Sequence, residues 1–301
     1  MPIRFGYACL NTTLGKEGGF RSMIKRTWEE KGLPHASALG VDNSETLCKI
    51  IEWNNRFGIK VYRMSSSMFP WASEYRLEDL PEWNRIRDNL ERAAKIAAKG
   101  DQRLSFHPGQ FNCLTSQNEK VVSNCLRDLR IHGDIMDVMG LPRNHWAKIN
   151  IHMGGSFGDK ERSIDQWCRN FERIPESVRS RLTLENDDKA SCFSVLDLKK
   201  VSDRTGCPIV FDFHHHRFCG GGISEEEALR IAVSTWSPGI RPCTHYSESA
   251  TKEGKKVNPT AHSDLVYDKI NDYGLEFDCV IEAKMKEIAV VKQIRDWHTN
   301  V

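Results

Sequence analysis

Six short, mostly apolar segments of the sequence each end in a histidine or a carboxylate side chain. In chain order, the end positions are His107, His152, Glu185, Asp212, His245 and Glu282. Imidazole and carboxylate ligands without thiolates suit zinc, manganese or iron, and open coordination positions leave room for water and substrate. A single buried histidine is usually structural, but six such residues in equivalent positions predict a metal centre.

Four more histidines bear on this centre. Asp212 is followed by a phenylalanine and then by His214, His215 and His216. His214 and His216 share a face if the strand continues, whereas His215 becomes available if the chain turns after Asp212. His262 stands before a segment with helical periodicity and is a further candidate ligand.

The charge of such a centre favours an anionic substrate. If Glu185, Asp212 and Glu282 held three divalent ions with neutral imidazoles, the site would keep a charge of about +3. A phosphodiester would neutralise part of this charge. Metal ions about 3.5 to 4 Å apart stabilise the attacking and the leaving oxygen of a phosphoryl displacement. Hydrolysis of a phosphate ester is therefore favoured over isomerisation of a neutral sugar.

Eight β-branched or aromatic runs alternate with eight segments of helical periodicity. The predicted strands are 3–10, 59–65, 103–108, 146–153, 182–186, 209–214, 241–247 and 279–284. The predicted helices are 44–55, 80–98, 119–139, 164–171, 195–205, 225–233, 263–273 and 285–297. This order, without a Gly/Ser linker, predicts a single (β/α)8 TIM barrel over residues 1–301, and a doubly wound open sheet is the competing topology. Barrel active sites lie at the carboxyl ends of the strands, where the six candidate ligands fall.

The overall composition is typical of a globular protein and argues against disorder or coiled coil. Of the residues, 39% are hydrophobic and 28% are charged, and 43 basic against 41 acidic side chains give a net charge of +2. No apolar run is long enough to span a bilayer, and the first residues do not resemble a signal peptide. Ten scattered cysteines are typical of reduced thiols. We expect a cytoplasmic protein without a membrane partner.

Two long connections on the predicted rim carry residues suited to nucleic acid. Residues 11–43 include Lys16, Arg21, Lys25, Arg26 and Lys31. Residues 66–80 include Met68, Phe69, Pro70, Trp71 and Tyr75. Local positive charge binds phosphates, and aromatic side chains can act as wedges in a distorted duplex. Gln110 and Phe111, after the third predicted strand, could form such a wedge.

The sequence resembles the ultraviolet-damage endonucleases, barrel enzymes related in fold to metal-dependent apurinic-site endonucleases. The matching phrases run through nearly the whole chain: Arg4-Phe-Gly-Tyr7-Ala-Cys-Leu-Asn11, Tyr62-Arg63-Met-Ser-Ser-Ser, Phe106-His107-Pro-Gly-Gln110-Phe111, Ile151-His152-Met-Gly-Gly, Leu184-Glu185-Asn-Asp, Asp212-Phe-His-His-His216, His245-Tyr-Ser-Glu, Ala261-His262-Ser-Asp264 and Glu282-Ala-Lys-Met-Lys-Glu287. No single phrase is specific, but their joint order is.

The resemblance implies incision of double-stranded DNA immediately 5′ of an ultraviolet photoproduct by metal-activated water. It implies a cluster of about three divalent ions, most often Mn²⁺ with Zn²⁺ or Co²⁺ as options. The implied ligands are His107, His152, Glu185, Asp212, His215, His245, His262 and Glu282. Among these, Glu185 bridges two ions, and the implied catalytic set is Glu185, Asp212, His245 and Glu282.

The resemblance also implies which side chains contact DNA. Tyr7 and Asn11 would contact the lesion strand, while Gln110 and Phe111 would probe the gap left by an extruded dinucleotide. Phe111 stands where the family often has tyrosine. Cys243 stands where the family often has a lysine near the metals, and strand alternation places the Cys243 side chain on the same face as His245.

Three alternatives to this function remain open from the sequence. An apurinic-site or general damage endonuclease would use the same centre, and a sugar isomerase would share the barrel. A noncatalytic lesion-binding barrel would keep the fold without incision. The expected protein is a monomer that associates with the nucleoid when it binds DNA.

Overall fold

The computed structural model describes residues 2–109 and 111–299. Eight parallel strands pair in sequence order, and the last strand pairs with the first, so the sheet closes. The strands are β1 (Ile3–Ala8), β2 (Val61–Met64), β3 (Arg103–Phe106), β4 (Ile149–His152), β5 (Leu182–Glu185), β6 (Ile209–Asp212), β7 (Cys243–Tyr246) and β8 (Phe277–Ile281). The predicted (β/α)8 barrel is confirmed, and the open sheet is excluded.

Helices cover the outside of the barrel. They are α1 (Lys25–Arg56), α2 (Trp83–Lys99), α3 (Glu119–Val138), α4 (Lys160–Phe171), α5 (Glu176–Arg179), α6 (Val195–Thr205), α7 (Phe213–His216), α8 (Glu225–Ser234) and α9 (Lys286–Thr299). Local signals set their ends: the Ser194 hydroxyl and the Asp197 carboxylate form a capping box at the start of α6. Gly206, with φ of 73°, ends the same helix.

The first connection is far more helical than the sequence indicated. Residues 25–43 belong to α1, which is kinked at Gly32, where φ is 55°. The Asn43 side chain accepts a hydrogen bond from the Arg21 backbone N–H and donates to the Met68 carbonyl. This buried amide fastens the preceding loop to the loop after β2.

The predicted helix at 263–273 is wrong, because two carboxylates bind the backbone N–H groups that a helix would use. Glu253 accepts from the backbone N–H groups of Asp264 and Leu265. Glu248, fully buried, accepts from those of Tyr267 and Asp268. Side chains that satisfy the backbone in this way compete with helix formation.

Mostly small apolar side chains fill the barrel interior below the rim. One buried cluster, separate from the larger core between sheet and helices, consists of Ala8, Val61, Val210, Cys243, Val280 and the larger Trp236. All ten cysteines are free thiols. Over residues 2–109 and 111–299, no helix combines the length and apolar character that a membrane span requires.

Candidate metal centre

Strand register brings four of the candidate ligands into two neighbouring pairs. His152 of β4 lies beside Glu185 of β5, and Asp212 of β6 lies beside His245 of β7. Paired residues of parallel strands point to the same face, so all four side chains enter the mouth of the barrel. Glu185, Asp212 and His245 are at most 1% exposed.

Three further candidates follow the strands by one residue or come from a loop. His107 comes directly after β3, and its Nε2 lies 3.0 Å from Glu185 Oε2. Glu282 comes directly after β8, where its N–H donates to the Tyr246 carbonyl. His262 belongs to the loop between β7 and β8, and its Nδ1 lies 3.8 Å from Glu282 Oε2.

The chain turns immediately after Asp212, and this turn selects one histidine of the triplet. The Asp212 carboxylate accepts a hydrogen bond from the His215 N–H and so begins α7. The His215 ring then joins Asp212 and Glu185 at the mouth. His214 Nε2 lies 3.1 Å from the Thr260 carbonyl, and His216 packs against a phenylalanine ring. Of the two alternatives that the sequence left open, the structure has the one in which the chain turns after Asp212 and His215 becomes available.

Three groups of potential ligand atoms share one carboxylate. In each group, the ligand atoms lie within 4.8 Å of one another. The groups are His107, His152 and Glu185; Glu185, His245 and Glu282; and Glu185, Asp212 and His215. Glu185 belongs to all three groups, which is the arrangement that a bridging ligand requires. His262 lies at the edge of the second group and belongs to none of the three.

Three of the rings have the same kind of partner on Nδ1. The Nδ1 atoms of His107, His215 and His262 donate to backbone carbonyl oxygens at 2.8–3.0 Å. His152 Nδ1 lies 3.3 Å from Asp187 Oδ1, without the geometry of a hydrogen bond. In the first three rings, the bond from Nδ1–H to a carbonyl oxygen fixes the tautomer and leaves Nε2 as the unprotonated nitrogen.

His245 is reversed. Its Nδ1 lies 3.0 Å from Glu185 Oε2 and 3.2 Å from Glu282 Oε1, without the geometry of a hydrogen bond. Its Nε2 faces Lys148 Nζ at 3.4 Å. Lys148 is completely buried, and burial lowers the pKa of its amine. The nitrogen of His245 that points away from the carboxylates therefore faces an amine, whereas Nδ1 of the other rings faces an oxygen atom.

The rings of the mouth differ in pKa: burial lowers the pKa of His107, and lowers that of His245 to about 4, whereas nearby carboxylates raise the pKa of two other rings. Burial opposes the charged form of His152, but Glu185 and Asp187 outweigh it and raise its pKa to about 10. At His215, Asp212 and Glu185 likewise outweigh burial and raise the pKa to about 9. Burial also raises the pKa of Asp212 to about 6. A metal ion entering this site would displace protons from these rings.

An arginine and an open cavity complete the centre. The cavity, about 540 Å³, is lined by Arg63, His107, His152, Glu185, His215 and Glu282, among others. The Arg63 guanidinium contacts the Glu282 carboxylate, and its charge holds the pKa of Glu282 well below its usual range despite burial. The cavity thus combines metal-competent ligands with the guanidinium of Arg63 at its wall.

The residues expected to contact DNA occupy two different environments. Tyr7 and Asn11 are completely buried: the Tyr7 hydroxyl donates to Asn54 of α1, and the Asn11 amide donates to that hydroxyl. Neither residue lines the cavity. Phe111 is 85% exposed on the loop after β3. Gln110 lies outside the described residues.

Three residues of the centre were missed by sequence reasoning. Lys148 and Asp187 gave no signal, because neither ends an apolar run. Arg63 could have been found, since it is two residues from the inward-facing Val61 and so points into the barrel near the end of β2. Cys243 is buried in the barrel interior, and the charge of Lys148 acts against the rise that burial causes in its thiol pKa.

The donor set fits a group of divalent ions. Asp212 Oδ2 and His245 Nδ1 are buried and lack a hydrogen-bond partner among the described residues. Such atoms are costly unless a ligand satisfies them. Fold and site together define a (β/α)8-barrel protein with a metal-competent histidine and carboxylate centre at the carboxyl ends of its strands.

Comparisons with known proteins give the family. The family model described as UV-endonuclease UvdE matches residues 3–300, and the chain belongs to this family. It is 38% identical over 305 residues to a UV-damage endonuclease of Schizosaccharomyces pombe, covering 97% of this chain and 50% of that protein. The chain thus spans about half the length of that curated relative.

Solved structures agree with this assignment. The crystal structure of SacUVDE superposes with a TM-score of 0.85 at 31% identity, covering 99% of this chain and 98% of that one. Endonuclease IV from Thermus thermophilus superposes with a TM-score of 0.61 at 14% identity, covering 99% and 100% of the two chains. The second similarity concerns the fold alone.

Proposed function

We propose that the protein is a DNA repair endonuclease that hydrolyses the phosphodiester bond immediately 5′ of an ultraviolet photoproduct in double-stranded DNA. The observation that carries this proposal is the sharing of Glu185 by three groups of ligand atoms at the barrel mouth. The chain's membership in the UvdE family supports the substrate, because its relatives are named for endonuclease action on UV damage.

The proposed ligands of about three ions, most often Mn²⁺, are those that the family resemblance implies. They are His107, His152, Glu185, Asp212, His215, His245, His262 and Glu282. When bound, such ions lower the pKa of water and stabilise the attacking and leaving oxygens of the displacement. Glu185 would bridge ions, and Glu185, Asp212, His245 and Glu282 form the proposed catalytic set.

The protein's own groups prepare the phosphate site in two ways. The carbonyl oxygens that accept from His107 and His215 fix the orientation of two rings that line the cavity. Arg63, at the cavity wall, carries a fixed positive charge that attracts a phosphate oxygen. DNA would therefore meet oriented ligands and a cation before any bond is broken.

DNA contacts outside the centre remain part of the proposal. Phe111, with 85% of its surface exposed, can enter a distorted duplex, and Gln110, which precedes it in sequence, would probe the same gap. Tyr7 and Asn11 would contact the lesion strand, and their burial means that DNA must reach them through a change in the loop after β1. The proposed working form is a monomer that meets DNA in the cytoplasm.

The test compares damaged and undamaged DNA. Purified protein with Mn²⁺ is expected to nick irradiated plasmid and to leave unirradiated plasmid largely intact. An end-labelled duplex with one photoproduct maps the cut, and an abasic-site duplex offered beside it measures preference. Equal cleavage of both plasmids, or no cleavage with metal bound, would overturn the proposal.

A further inference from the structure

A second aromatic side chain stands exposed on the rim, on the loop that follows His152. Phe157 is 63% exposed, and its φ of 47° lies in the left-handed region that phenylalanine rarely adopts. A strained conformation persists only when something fixes it, and such residues cluster at functional sites. A turn in which the Asp159 N–H donates to the Ser156 carbonyl, and in which Gly158 has a φ of 80°, holds this backbone conformation and leaves most of the ring exposed to a ligand.

The Phe157 ring lies at the edge of the cavity of the metal centre. Gly154 and Gly155 both line that cavity. A Cβ at Gly155 would lie 3.2 Å from Phe157 Cζ, so the ring covers this glycine closely. A Cβ at Gly154 would lie 2.6 Å from Cys113 Sγ, so the loop also abuts the preceding rim loop. The two glycines thus fix where the ring stands.

Phe111 occupies an equivalent position on the neighbouring loop. Gly109 lines the same cavity, and a Cβ there would lie 3.7 Å from Phe111 Cδ2. Phe111 and Phe157 are therefore two exposed rings on adjacent loops, each next to a glycine of one cavity wall. A duplex lying across the centre would meet both rings.

We propose that Phe157 is a stacking site for an unpaired nucleobase of the DNA bound at the metal centre. This inference rests on the proposed function. Extrusion of a damaged dinucleotide leaves two sets of unstacked bases: the damaged bases and the bases that paired with them. Phe111 is a single ring and can stack on only one of these sets. Every base offers an aromatic face, so a single exposed ring binds it without regard to sequence. The phosphate-attracting cavity beside the ring supplies the backbone contact.

Three variants isolate the contribution of the ring. Phe157→Asn removes the ring but keeps a residue that tolerates left-handed backbone. Phe157→Trp keeps an aromatic face. Phe57→Asn is the matched control, because Phe57 is also an exposed aromatic, 50% accessible, but follows α1 and precedes β2 at the opposite end of the barrel.

The measurement is equilibrium binding of a fluorescent duplex with unpaired bases, followed by anisotropy in Mn²⁺, with a phosphorothioate linkage to slow incision. Phe157→Asn is expected to weaken binding about tenfold, the range of one base–aromatic stack. The slope of log affinity against log salt should stay unchanged, because no phosphate contact is lost. Phe157→Trp and Phe57→Asn should bind within about twofold of the unmodified protein.

Binding by Phe157→Asn equal to that of the unmodified protein would overturn the inference, as would equal weakening by Phe157→Trp. A dimer that Phe157→Asn dissociates would also overturn it, since the ring would then belong to an interface between copies. Incision is scored separately on photoproduct DNA. If the protein binds unpaired bases through Phe157 but does not incise, the proposed function fails and the stacking site stands.

Discussion

Two clusters of buried charged side chains lie at opposite ends of the same barrel. At the amino ends of the strands, Arg103 is fully buried and donates to the carbonyl oxygens of His145, Trp146 and Arg241. It also forms an ion pair with Asp278 at 3.0 Å. We call this cluster the floor. Each guanidinium nitrogen of Arg103 donates a hydrogen bond.

The charged side chains of the mouth are buried to a similar extent, but some of their polar atoms lack hydrogen-bond partners. Asp212 Oδ2 and His245 Nδ1 lack hydrogen-bond partners among the described residues, and nearby carboxylates raise the pKa of His152 and His215. A closed network such as the floor stabilises the fold, whereas unsatisfied donor atoms that converge on one point indicate a site for a ligand. Burial of charge alone does not separate the two.

The largest effect is expected at the shared carboxylate of the mouth. Glu185→Gln removes the charge that all three ligand groups use, so bound Mn²⁺ should fall and nicking should drop roughly 1,000-fold or more, as for an essential catalytic group. Nicking of irradiated plasmid and metal content by mass spectrometry measure the two effects. Retained activity with a full metal complement would remove Glu185 from the centre.

At the floor, we expect a substitution to lower stability without changing metal binding. Asp278→Asn leaves Arg103 buried without its charge partner and should lower the free energy of unfolding by about 3–5 kcal/mol, with metal content unchanged. Asp101→Asn is the control, because Asp101 pairs with Arg4 while its side chain is 67% exposed, and should cost less than about 1 kcal/mol. Urea unfolding tests both variants, and equal losses would contradict a structural floor.

A smaller effect is expected where Lys148 backs the His245 ring. Lys148→Met removes the only polar partner that the described residues give to Nε2, so Mn²⁺ affinity should fall roughly 10- to 100-fold. The unfolding free energy of the metal-free protein should stay equal or rise, because a buried amine is replaced by an apolar chain.

Lys60→Met is the matched control for this change. Lys60 precedes β2 as Lys148 precedes β4, but its Nζ donates to the Gly100 carbonyl, away from the ligands. Its replacement should leave Mn²⁺ affinity unchanged. Calorimetric titration of both variants would contradict the account if the two affinities fell together or if neither fell.

The smallest effect is a pH dependence of stability in the metal-free protein. The pKa values of His152 and His215 are raised to about 10 and about 9. Their stabilising contribution is therefore complete below the unfolded value of about 6.5 and is lost as pH rises through 9 to 10. The melting temperature should fall by a few degrees between pH 7 and pH 9.

Saturating Mn²⁺ should reverse this trend, because a bound ion requires deprotonated rings. His215→Gln should flatten the metal-free profile. Thermal unfolding followed by circular dichroism measures all three profiles, and a metal-free melting temperature that rises toward pH 9 would contradict the charges assigned to the mouth.

The convergence of the candidate ligands at one end of the barrel could be predicted because strand alternation and strand ends are local properties. His107, His152, Glu185 and His245 each follow an apolar run, and the barrel then brings such ends together. His215 needed the turn after Asp212, which depends on a side-chain hydrogen bond that the sequence leaves open. The fold followed from the same alternation of runs.

The remaining features depend on contacts between distant residues. Lys148 reaches His245 across 97 positions of sequence, and only the closure of the barrel brings the two side chains together. The helix expected at 263–273 is lost because Glu248 and Glu253 bind its backbone. Both carboxylates lie outside the segment, so neither its periodicity nor its composition indicates their effect.

The most direct test of a metal centre at the mouth is anomalous scattering at the manganese edge from crystals soaked in Mn²⁺. The account predicts peaks beside the carboxylate of Glu185, within reach of His107, His215 and His245, and no peak at the floor near Asp278. Absence of any peak beside Glu185 at saturating Mn²⁺, or ions bound only elsewhere, would contradict it.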